Sequence, residues 1–146
     1  MQSTREKIRR LMIAIDKIDE AYYKALRTLG IKDNAFVLFY AIADGKSYSQ
    51  KRICDEWSVP RTTLNTIVQE YVEKGYIRLL STGHKEKEIV LTHKGKVFAE
   101  EILTPIFAAE EKAIKPFLKT MFVEQTEELA ERLKNEFEQI PKGKGI

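Results

Sequence analysis

Six polar residues at the front of one helical stretch carry the chemistry of this chain: Arg61, Thr62, Thr63, Asn65, Thr66 and Gln69. Arginine, asparagine and glutamine can each make paired hydrogen bonds to the edge of a base. Threonine offers a hydroxyl to a base or phosphate and a methyl to thymine. Leu64, Ile67, Val68, Tyr71 and Val72 recur among them at the spacing of one buried helical face. The polar set therefore falls on the outer face. An ordinary amphipathic helix with a solvated face has the same pattern, so the neighbouring elements must decide between the two.

Pro60 suits the first turn of a helix, and Gly75 suits a left-handed stop. Together they predict a helix from about residue 60 to about residue 74. Ahead of it, the run SYSQKRICDEW (47–57) reads as a short helix before a tight turn, with Ser49 and Lys51 placed to meet a sugar-phosphate backbone. Behind it, residues 76–80 and 88–91 make a two-stranded ribbon around the turn Ser81-Thr82-Gly83-His84-Lys85-Glu86-Lys87. Two helices across a tight turn form a helix-turn-helix, whose second helix enters the DNA major groove. A hairpin placed directly after it can lay its tip along the phosphate track or into the minor groove, where His84, Lys85 and Lys87 would meet negative potential. A plain hairpin capping the core has the same composition.

Charge is distributed to match. The net charge is only +3, but residues 46–96 hold 10 Lys/Arg against 6 Asp/Glu, whereas residues 97–146 hold 7 against 10. The positive surplus thus lies in the candidate DNA-binding block. At 146 residues, with 43% hydrophobic and 32% charged, the chain is long and apolar enough for a real core and reads as a helical globular protein.

The flanks read as assembly elements. Ile8, Leu11, Met12, Ile15, Ile18, Tyr22, Leu26 and Leu29 trace a stripe along a helix over 3–29, and a second helix over 34–43 is apolar on several sides. Residues 97–119 form another long helix, which Pro105 should kink or restart with Thr104 as a cap. Residues 124–140 form a last one, with Leu129, Leu133, Phe137 and Ile140 on one face, before a frayed PKGKGI tail. The expected fold is mainly α with a small β-wing. A dimerisation helix at 1–33 leads to a winged helix-turn-helix lobe at 34–95, and dimerisation helices follow at 96–146, all in one integrated fold. A two-fold homodimer would present two reading helices to double-stranded DNA.

The block resembles the MarR (multiple antibiotic resistance regulator) family of winged-helix transcription factors. Leu91-Thr92-His93-Lys94-Gly95 is similar to that family's Leu-Thr-x-x-Gly at the exit from the wing. Val72-Glu73-Lys74-Gly75-Tyr76-Ile77 is similar to the junction of its recognition helix and wing, and Glu100-Glu101-Ile102-Leu103-Thr104-Pro105-Ile106 to the start of its long dimerisation helix. Where that family usually carries Asp-x-Arg in the wing, this chain has Gly83 and Lys85. The resemblance implies a transcriptional regulator, a repressor on a pseudo-palindromic operator. It also implies a small aromatic effector held near Tyr22, Phe36, Phe39, Tyr40 and Phe98, residues that equally suit ordinary core. A winged-helix module that binds protein instead of DNA, and a weakly specific architectural DNA binder, stay open beside it.

Enzyme chemistry finds little purchase. There is one cysteine, there are two histidines, and no metal-ligand pair, phosphate-cradling glycine loop or nucleophile elbow appears. No metal or other cofactor is expected. Cys54 reads as a packed small residue, His84 and His93 as solvated, and Trp57 as a core anchor under the turn. The single cysteine, the lack of a secretory signal and an apolar run too short to span a bilayer point to a cytoplasmic protein with no membrane partner.

Overall fold

The computed structural model describes residues 1–83 and 85–145. By its internal contacts the chain divides into one unit at residues 1–106 and a second at 107–146.

In the first unit, α1 (Thr4–Leu29) opens on a reciprocal cap. The Ser3 hydroxyl accepts the Glu6 N–H at 3.1 Å, and the Glu6 carboxylate accepts the Ser3 N–H at 3.3 Å. Gly30, at φ +68°, closes the helix in the left-handed region. The expected apolar stripe is present but uncovered within this chain: Leu11, Met12, Ile15 and Ile18 are exposed, and only Leu26 is buried. The second helix, α2 (Asp33–Ala41), buries Ala35, Leu38, Phe39 and Ala41, and ends two residues earlier than expected.

β1 (Tyr48–Ser49) runs directly into α3 (Gln50–Trp57), so the first part of the motif is strand and helix rather than helix alone. The Ser49 hydroxyl caps α3 by accepting the Arg52 N–H at 3.1 Å. α3 stops at Ser58, whose φ of 52° turns the chain toward α4 (Arg61–Glu73). Gly75, at φ +80°, then releases the chain into β2 (Ile77–Leu80) and β3 (Glu88–Leu91).

The wing is three-stranded, not two-stranded. β1 and β2 both pair antiparallel with β3, in the order β1-β3-β2, with Tyr48 opposite Ile89 and Leu79 opposite Ile89 on the other side. A two-residue strand has no alternation to read in sequence, and only its partner reveals it. Leu38, Phe39, Ile42, Ile53, Leu64, Val68, Ile89 and Leu103 are fully or almost fully buried and form the core of this unit.

α5 (His93–Ile114) starts four residues earlier than expected, because Thr92 caps it: its hydroxyl accepts the Gly95 N–H at 2.9 Å. The helix also continues through Pro105, with no restart at that point. Thr104 is not a cap. Its hydroxyl donates to the Glu100 carbonyl at 2.5 Å within the helix. Proline deletes the bond to the Glu101 carbonyl, but Glu101 and Pro105 are exposed, so water can serve that group.

The second unit contains the last turns of α5, a 3-10 turn at Lys115–Phe117, and α6 (Phe122–Glu138). The Phe117 and Phe122 rings lie 5.1 Å apart across the bend. Leu129 and Leu133 are half-buried, whereas Phe137 and Ile140 are exposed.

Candidate nucleic-acid interface

The helical periodicity of residues 61–73 divides α4 into two faces. Leu64, Ile67, Val68 and Tyr71 are buried, while Arg61, Thr62, Thr63, Asn65, Thr66 and Gln69 are all exposed. The buried side is anchored by aromatic packing: the Tyr71 ring meets Phe39 edge-on at 5.1 Å. Burial and the neighbouring Glu70 carboxylate push the Tyr71 hydroxyl up to about 12. On the outer side, Thr66 donates its hydroxyl to the Thr62 carbonyl at 3.1 Å, so that proton is committed within the helix. Asn65 and Gln69, four residues apart on one face, make no side-chain hydrogen bond among the described residues and offer their full donor and acceptor sets outward.

α3 packs beside this helix and, with its cap, carries the two residues expected to meet a sugar-phosphate backbone. Ser49 is engaged as the α3 cap, and the Lys51 ammonium pairs with Asp55 at 2.8 Å, which holds it above the usual lysine range. That pair is largely exposed, so a phosphate can compete for the lysine. Under α3, Tyr48 donates its hydroxyl to Asp44, and the Arg52 guanidinium sits 4.5 Å over the Tyr48 ring.

Sequence reasoning did not single out Glu86. Its carboxylate accepts the Lys51 backbone N–H at 2.8 Å and the Arg61 Nη2 at 2.9 Å, tying the wing to the starts of both helices. Continuing the β1–β3 register past the Ser49–Glu88 pair sets residue 86 across from residue 51. Without β1, that register could not be drawn.

In the wing, Lys85 and Lys87 are exposed and make no ion pair among the described residues. His84 lies outside the described residues. Gly83 sits at φ +82°, a backbone shape that an aspartate there would adopt only with strain.

The five candidate effector residues fall into two ring groups. Tyr22, Phe36 and Tyr40 lie 4.7–6.5 Å apart, centroid to centroid, and are half-buried. Phe39, with 0% exposure, packs with Tyr71 and with Phe98, which stacks on Tyr76 at 4.4 Å. Trp57 is not a core anchor: it packs edge-on against Tyr40 at 5.5 Å and is 46% exposed. A helix end bordering a turn leaves one face of so large a ring uncovered. Cys54 is a half-buried free thiol, and His93 is exposed at the start of α5. Among the described residues there is no cluster of His, Cys, Asp and Glu that could hold a metal, and no helix is long and apolar enough to cross a membrane.

Comparison with known proteins adds a family likeness over part of the chain. The MarR family model matches residues 29–87, which run from the end of α1 through the helix-turn-helix to the wing turn. No curated protein matches the chain by sequence. Among solved structures, NMB1585, a MarR family regulator from Neisseria meningitidis, superposes with a TM-score of 0.79 at 21% identity, covering 91% of this chain and 97% of that one. The transcriptional regulator BldR from Sulfolobus solfataricus gives 0.63 at 19% identity, covering 96% and 100%. NadR in complex with 4-hydroxyphenylacetate gives 0.63 at 17% identity, covering 97% and 99%. At these identities the superpositions show the fold alone, a winged helix with long flanking helices, and residues 29–87 are similar to the MarR family model.

Proposed function

We propose that the protein is a cytoplasmic, sequence-specific DNA-binding regulator that represses transcription as a homodimer on a pseudo-palindromic operator. The observation that carries this reading is the outer face of α4. Six side chains able to contact bases or phosphates stand exposed on a helix whose opposite face is locked into the core. Dimerisation is supported by the uncovered apolar residues Leu11, Met12, Ile15 and Ile18 of α1, and by Leu118, Met121, Phe137 and Ile140 in the second unit. Sedimentation at micromolar concentration should give twice the chain mass; a monomer contradicts the homodimer.

The test of function is selection from a random duplex pool. The expected product is a two-fold symmetric motif with half-sites about 10 base pairs apart or a multiple of that. Binding without enrichment would make the protein an architectural binder, and no binding would make it a protein-interaction module. Within this reading, Lys85 meets phosphate and does not read bases, since an ammonium is a point charge without a planar fork. Lys85→Ala should weaken binding to all duplexes alike and flatten the log–log salt dependence by about 0.9 per protomer. A loss confined to one base position contradicts that role.

A small aromatic effector relieves repression by favouring one spacing of the two reading heads. The half-buried Tyr22, Phe36 and Tyr40 set supports this, as does the aromatic acid bound in the structurally similar NadR.

A further inference from the structure

One acidic side chain links the wing to both helices of the reading head. Lys51 is the second residue of α3, so its N–H has no partner within the helix, and the Glu86 carboxylate fills that vacancy at 2.8 Å where the helix dipole favours an anion. The same oxygen accepts from Arg61 Nη2 at 2.9 Å, and Arg61 is the first residue of α4, at the end that meets base edges in a helix-turn-helix. The Glu86 side chain is 27% exposed and Arg61 62%, so the carboxylate is partly enclosed while the guanidinium still faces out.

We propose that Glu86 is a positioning residue for DNA recognition. It fixes the plane of the Arg61 guanidinium and offsets its charge, so that Arg61 contributes to sequence discrimination more than to general attraction for phosphate. A guanidinium has five donors, and the ion pair occupies one nitrogen, leaving the others for a partner in the groove. Because the side chain is already ordered, less rotamer freedom is lost when that partner arrives. Freed of Glu86, Arg61 would sweep the phosphate track and add a contact that carries no sequence information. This inference rests on the DNA-reading function proposed above.

Two variants test it. Glu86→Gln keeps an oxygen for the Lys51 N–H but removes the charge, and Glu86→Ala removes both. Affinity is measured across salt concentrations for the selected motif and for random duplex. In Glu86→Gln the motif-to-random ratio should fall about tenfold. The salt dependence on random duplex should steepen by about 0.9 per protomer. In an Arg61→Ala background, Glu86→Gln should change neither quantity. In the free protein, the Arg61 Nε–Hε resonance should move in Glu86→Gln and the Lys51 amide resonance in Glu86→Ala. Unmoved resonances overturn the inference whether or not DNA is bound. An unchanged ratio, or an equal change without Arg61, overturns it while leaving the DNA-reading function standing. A wild type that enriches no motif overturns both.

Discussion

Gly95→Ala is expected to destabilise the fold by about 3 kcal/mol and to lower the melting temperature by about 10 °C. The reason is space and not backbone shape. A Cβ at position 95 would fall well inside contact with the Tyr76 carbonyl oxygen, 2.9 Å from its carbon and 3.3 Å from Leu91 Cδ2. The oxygen cannot step aside, because it accepts the Thr92 N–H at 3.1 Å. Thr92 in turn donates its hydroxyl to the Gly75 carbonyl at 2.7 Å and accepts the Gly95 N–H at 2.9 Å. Threonine and glycine of the Leu-Thr-x-x-Gly sequence thus pin the start of α5 against the end of α4. Thermal unfolding followed by circular dichroism checks this. A melting temperature equal to wild type would mean that α5 is free to move off Tyr76.

The second large effect concerns recognition. The paired substitutions Asn65→Ala and Gln69→Ala should cut discrimination between the preferred site and random duplex by about 100-fold, given about 1–3 kcal/mol for each lost bidentate base contact. Non-specific affinity should barely change, because neither residue is charged and counterion release dominates that term. The fold should hold. Both side chains are exposed, and alanine favours a helix more than asparagine or glutamine does. Titrations on the two duplexes separate the cases: equal losses on both would assign these residues to backbone contact.

Much of this architecture is legible in sequence because local chemistry marks it. Pro60 and Gly75 bracket a helix whose interior is strongly periodic, and the outer face of α4 follows from the spacing of Leu64, Ile67, Val68 and Tyr71. What is not legible depends on partners distant in sequence. β1 has two residues and exists only through its pairing with β3. Glu86 looks like one member of an alternating Lys-Glu run until that pairing sets it beside Lys51 and Arg61. Pro105 reads as a break, yet the packing of Leu103 and Ile106 on the core side keeps the helix continuous, with the lost bond on the exposed side. Trp57 reads as core by type, but its place at the end of α3 leaves it half uncovered. Tertiary context outweighs local preference in each case.

The proposed function stands or falls with the outer face of α4 as the surface that reads sequence. The most direct measurement repeats the random-duplex selection with the Asn65→Ala and Gln69→Ala protein beside the wild type. The predicted result is a wild-type motif that loses information in the variant at a few base positions, placed symmetrically in both half-sites, with the half-site spacing retained. An identical motif from the two proteins would contradict the claim.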